Sequence, residues 1–104
     1  MGALFLLHCG VLHAEGEQCK IVDRSALVVV VVCPQETSRD ALRETGMRAC
    51  KGQNPCNAWI WTDDASAPVK APATDKELPK PATSAARAVW INDAQQLLEI
   101  RRAR

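Results

Sequence analysis

The sequence predicts a small disulfide-stapled α+β domain, with one helix over about 38–51 packed on a short, mostly antiparallel sheet. Three observations predict it. Cys19, Cys33, Cys50 and Cys56 fall within a short chain, and an even set of cysteines in a small exported protein reads as a disulfide framework. The run Val28–Val32 is β-branched and stiff, which suits a strand and disfavours a helix. Between Thr37 and Gly52 the apolar residues instead recur at helical spacing.

The first segment, Met1–Ala14, carries no Asp, Glu, Lys or Arg, and Ala3–Leu12 is almost continuously apolar. A membrane span needs roughly 20 apolar residues, whereas the apolar core of a secretory signal needs only roughly 7–15. Ala14 supplies a small residue for cleavage, and Glu15-Gly16-Glu17-Gln18 turns polar at once. No Lys or Arg precedes the apolar run, and Leu12 is larger than the ideal residue two places before Ala14. The expectation is a signal peptide over 1–14 and a single mature domain over 15–104, periplasmic or secreted, with no stable membrane span after cleavage. Removal of 1–14 takes away Cys9, so the five cysteines become four, and it takes both histidines, His8 and His13.

In the mature part, Gln18–Val22 reads as a strand and Asp23-Arg24-Ser25 as a turn. Ala26–Val32 is apolar on both faces, so it should be a central strand covered on both sides. Cys33-Pro34 ends it. Ser38 and Asp40 signal a helix start, and Leu42, Gly46, Ala49 and Cys50 form its apolar stripe. Gly46 on that stripe suggests close packing against the sheet, and Gly52 is the stop. Cys56–Thr62 alternates as a strand, with Trp59 and Trp61 on one face.

Four of the six prolines then fall between Pro68 and Pro81 among Ala, Lys and Thr. This is the composition of an extended, weakly structured loop, at about 64–87. Ala88–Ile91 resumes as a strand. After Asn92-Asp93 two readings stay open: a hairpin returning over Leu97–Ile100, which is favoured, and a helix capped by Asn92.

Four cysteines allow three pairings. If the valine strand runs up, the helix down and the Cys56 strand up, Cys50 and Cys56 share the lower end while Cys33 is at the top near Cys19. Proximity then favours Cys19–Cys33 and Cys50–Cys56. A tight turn at Arg24-Ser25 would instead place Cys19 opposite Val30, roughly 10 Å short of Cys33. A wider loop or a bulge must absorb the difference.

Ser38–Trp61 resembles the core of PAN/apple modules. The residues that carry the likeness are Cys50, the Lys51-Gly52-Gln53-Asn54-Pro55 spacer, Cys56 and the Trp59/Trp61 pair. The sequence departs from that family at Gly46, where an earlier helix cysteine usually stands, and near Trp90, which no cysteine accompanies. The resemblance implies an exported α+β module that binds proteins or carbohydrates without catalysis.

The thirteen basic and twelve acidic residues give a net charge of +1, which offers no electrostatic footprint for nucleic acid. The cysteines are separated by thirteen, sixteen and five residues, unlike the close pairs of a zinc site, and no Cys-x-x-Cys redox motif occurs. Without a mature histidine, no nucleophile–base pair stands in a recognisable motif, and Asp63-Asp64 reads as an acidic turn. Neither a catalytic residue nor a metal or cofactor site is expected. The candidate binding residues are Trp59, Trp61 and Trp90, whose aromatic faces can stack on sugars or anchor partners, with Gln53 and Asn54 of the spacer. The functional expectation is a binding module for a protein or carbohydrate in the envelope or extracellular space. The alternative is a small secreted inhibitor or immunity-type protein acting on an enzyme.

Overall fold

The structure, a computed structural model, describes residues 18–101. The expected signal segment, Cys9 and the last three residues of the arginine-rich end lie outside the described residues. Five strands form one sheet in sequence order: β1 (Lys20–Arg24), β2 (Val28–Val32), β3 (Asn57–Trp61), β4 (Ala88–Ile91) and β5 (Gln96–Glu99). Helix α1 (Arg39–Ala49) makes the crossover between β2 and β3, which are therefore parallel, and every other pairing is antiparallel. A short helix α2 (Lys80–Ala85) precedes β4.

The five valines of β2 are all buried, four of them completely. Val29 and Val31 face α1, while Val30 and Val32 face the opposite layer, as expected of a strand apolar on both sides. Ser38 caps α1, its hydroxyl accepting from the Ala41 N–H at 3.1 Å. Leu42, Thr45, Gly46 and Ala49 form the buried face, spaced as one helical stripe. A Cβ built on Gly46 would overlap Trp90 Cβ and come 2.6 Å from its Cγ, so only glycine lets the helix seat here. Beyond the helix, Gly52 turns the chain with φ +76°, a conformation glycine adopts without steric cost.

The second face is covered by the segment expected to be weakly structured. It holds a 3₁₀ turn (Asp75–Glu77) and α2, and Leu78, Ala82 and Ala86 pack on Val30, Val32 and Trp61. Short helical elements form here in place of the expected loop because the alanines that resemble linker composition are small enough to lie flat on a sheet. Polar ties fix the cover. The Trp61 indole N–H donates to the Ala82 carbonyl at 2.8 Å, the Ser25 hydroxyl to the Pro72 carbonyl at 2.7 Å, and the Ala71 N–H to Asp23 Oδ2 at 2.7 Å. That backbone N–H holds the Asp23 carboxyl below the ordinary aspartate range.

The disulfides are Cys19–Cys33 and Cys50–Cys56. The register shows how the first becomes possible. Arg24 lies opposite Val29, so the β1–β2 loop is wider than a tight turn, and a bulge at Val22 moves the pairing back by one residue. Lys20 then faces Val32, and the Cys19 and Cys33 Cα atoms stand 4.1 Å apart. β1 begins and ends two residues later than the sequence suggests. Of the two readings after Asn92, the hairpin is the one formed: Ile91 faces Gln96, with Gln95 at φ 53° in the turn.

Candidate binding surfaces

The three tryptophans do not form one surface. Trp59 and Trp61 share the covered face as expected, with ring centroids 6.2 Å apart and planes 28° from parallel. Trp90 lies on the α1 face, with the Arg43 guanidinium 5.7 Å from its ring centroid. Trp61 and Trp90 are 0% exposed and Trp59 is half-buried. As placed, the candidate binding residues Trp61 and Trp90 offer no aromatic face to solvent. Their large apolar rings fill the two core layers, and their indole N–H groups are satisfied inside the domain.

Trp59 donates to Asp75 Oδ2 at 3.1 Å, and Asn57 Nδ2 donates to the same oxygen at 2.8 Å. The other carboxylate oxygen of Asp75 is buried without a protein partner. This aspartate pins the covering segment to β3.

Gln53 and Asn54 belong to a different cluster, organised by Asn92, which the sequence marks only as a turn residue or helix cap. Trp90 Nε1 donates to Asn92 Oδ1 at 3.0 Å, and Asn92 Nδ2 reaches both the Gln53 carbonyl and Asn54 Oδ1 at 3.2 Å. Gln53 Nε2 also donates to the Ala26 carbonyl at 2.6 Å, and Arg24 Nη1 donates to the Ala49 carbonyl at 3.1 Å. With the Cys50–Cys56 bridge at its base, the Lys51–Pro55 loop is held rigidly against the β1–β2 turn, with Lys51, Asn54 and Pro55 exposed.

A third surface follows from the dimensions of the fold. Five strands about 4.8 Å apart make a sheet roughly 19 Å wide, whereas one helix has a diameter of only about 10 Å. Helix α1 packs mainly over β3, β4 and β5, so the inner side of β1 is covered only in part, through the Thr45–Cys19 and Arg24–Ala49 contacts at its two ends. The result is a groove of about 200 Å³ between β1 and α1, lined by Cys19, Lys20, Ile21, Val31, Thr45, Arg48 and Ala49. Ile21 is 47% exposed at its mouth. The Lys20 ammonium points away to pair with Asp64 at 3.6 Å, and the hydroxyl of the buried Thr45 donates to Cys19 Sγ at 3.5 Å, which leaves the exposed Arg48 guanidinium as the polar group facing the groove. An apolar floor beside one cation suits an apolar side chain flanked by a carboxylate. This groove was missed in the sequence because it arises from incomplete cover, which no residue motif announces.

At the opposite end of the sheet Glu99 joins two arginines. It accepts from the buried Arg87 at 2.8 Å and from Arg39 of α1. The Arg87 contact first, then that of Arg39, holds its carboxyl below the ordinary glutamate range.

Among the described residues, no group of three or more His, Cys, Asp and Glu is placed to hold a metal ion, and no helix is long and apolar enough to cross a membrane. Fold and surfaces together define a small disulfide-stapled α+β domain with two covered sheet faces. No family model matches the chain, nor does any curated protein or solved structure.

Proposed function

We propose that this chain is an exported, non-catalytic binding module of the cell envelope or extracellular space, and that its ligand is a protein received in the β1–α1 groove. The observation that carries this reading is the groove itself: an apolar floor left open by a helix too narrow for the sheet, bordered by Thr45 and Arg48. Two disulfides support an oxidising compartment, since such bonds persist there and not in a reducing cytosol. A carbohydrate is the less favoured ligand because sugar platforms need exposed aromatic faces, and Trp61 and Trp90 are fully enclosed.

A photo-crosslinking residue placed at position 21 tests the proposal in the exported protein, with the same residue at position 69 as a control. Crosslinks to one defined envelope or secreted protein from position 21, lost with Arg48→Glu in the same chain, are the expected result. Glycan binding that Ile21→Asp leaves unchanged would overturn it.

One observation favours a second reading, an inhibitor or immunity-type protein. The Lys51–Pro55 loop is bridged at its base, latched through Gln53 and Asn92, and exposed at its tip. Such preorganisation lowers the entropic cost of inserting a loop into an enzyme cleft. Crosslinks from position 54, with none from position 21, would select this reading.

A further inference from the structure

The two edges of the sheet are not equivalent. On β1 the bulge at Val22 breaks the two-residue alternation of outward backbone groups, and Lys20, Asp23 and Arg24 add charge. Bulges and charges of this kind protect an edge from pairing with another chain. Antiparallel pairing of two β1 strands about Val22 would also set Lys20 against Arg24.

β5 lacks this protection, since its one charge, Glu99, is paired within the chain with Arg87 and Arg39. Its residues Gln96–Ile100 include no Lys, no Pro and no bulge. The Asn92 N–H donates to the Cys56 carbonyl and the Ile100 N–H to the Arg87 carbonyl. These bonds fix the alternation: Gln96, Leu98 and Ile100 turn their backbone groups toward β4, while Leu97 and Glu99 turn theirs outward. The side chains of Leu98 and Ile100 are 44% and 41% exposed, beside the half-buried Trp59 and Ile91 on the part of the second face that the covering segment leaves open.

We infer that β5 pairs with β5 of a second copy of this chain, antiparallel about Leu98, to form one continuous sheet. The outward groups of Leu97 and Glu99 fit this register, because each Leu97 then exchanges both backbone hydrogen bonds with the Glu99 of the other copy, whereas pairing about Glu99 would oppose two carboxylates and pairing about Leu97 would set Glu99 against the turn residue Gln95. Leu98 meets Leu98 as a pair not bonded through the backbone, the arrangement that brings side chains closest. The charges agree with the same register. No like charges stand opposite each other, Glu99 is neutralised within its own chain by Arg87 and Arg39, and the exposed Arg101 of each copy passes alongside the turn that carries the exposed Asp93 of the other.

The test is sedimentation of the oxidised mature protein from micromolar to millimolar concentration, together with Leu98→Cys. A dimer is expected. Leu98→Lys and, independently, Ile100→Lys should each weaken it by roughly tenfold, through like charges and lost apolar contact across the seam. Under oxidising conditions Leu98→Cys should yield a covalent dimer linked 98 to 98, because opposed non-bonded pairs lie within disulfide reach. Ile21→Cys on the other edge should not. Circular dichroism with mapping of the two native disulfides shows that each variant is folded. A monomer throughout the range, including one whose β5 captures an extended segment of another protein, would overturn the inference. So would a dimer indifferent to both lysine substitutions.

Discussion

Gly46 of α1 rests directly on the Cβ and Cγ of Trp90 in β4. The contact lies at the stem of a fully buried side chain, next to the backbone, so no rotamer change can make room. Gly46→Ala improves intrinsic helix propensity by about 1 kcal/mol, yet it forces overpacking that typically costs about 1–3 kcal/mol. Here the clash prevails, because both helix and strand are fixed by their neighbours. A lower urea midpoint for Gly46→Ala is expected. A raised midpoint would show that α1 is not seated on Trp90.

Asp75 links the covering segment to β3 through Trp59 and Asn57. Asp75→Ala should release the segment locally, costing about 1–3 kcal/mol for the donors left without their partner. The specific readout is acrylamide quenching of Trp59 fluorescence in a chain whose other tryptophans are replaced by phenylalanine. Quenching should rise with Asp75→Ala, and unchanged quenching would contradict the pinning role.

Acid should weaken the Glu99 pair in a defined direction. A carboxyl whose folded-state pKa is lowered stabilises the fold fully above the ordinary glutamate range, and loses that contribution as pH falls through the lowered value. The acid limb of a Tm–pH profile should therefore flatten in Glu99→Gln, while Tm near neutrality falls. Asp23, lowered through the Ala71 N–H, titrates in the same sense, so part of the slope remains in Glu99→Gln and a further part goes with Asp23→Asn. An unaltered acid limb in both variants would remove these carboxylates from the account.

Much of the fold was legible because single residues carry strong constraints. Five adjacent valines admit little but a central strand. Ser38 and Gly52 bracket α1, and a glycine on its apolar stripe signals a close approach. The parallel β2–β3 crossover and the cysteine pairing follow from that order of elements. The second layer was not legible, because Ala67, Ala71, Ala82 and Ala86 are too small to announce a core. Their burial depends on Trp61 and Val30 being in place beneath them. Nor could the candidate site be read. Exposure decides whether a tryptophan binds or packs, and here it depends on which layer covers each face. The groove exists only because one helix is narrower than the sheet.

Each disulfide should stabilise according to the loop it closes. Serine at both Cys19 and Cys33 is expected to cost about 3 kcal/mol, and serine at both Cys50 and Cys56 about 2 kcal/mol, from the lost constraint on the unfolded chain. Urea titrations of the two double variants check the order. Equal losses, or a larger one for the shorter loop, would mean that strain or residual unfolded-state structure outweighs loop entropy.

The proposed export and the two bridges are tested together by non-reducing peptide mapping of the protein recovered from its native compartment. The expected result is an N-terminal peptide that begins at Glu15, with Cys19 linked to Cys33 and Cys50 linked to Cys56. A peptide joining Cys33 to Cys50 or Cys56 would contradict the topology. Free thiols in a cytoplasmic chain with Met1 intact would contradict export, and the proposed envelope partner with it.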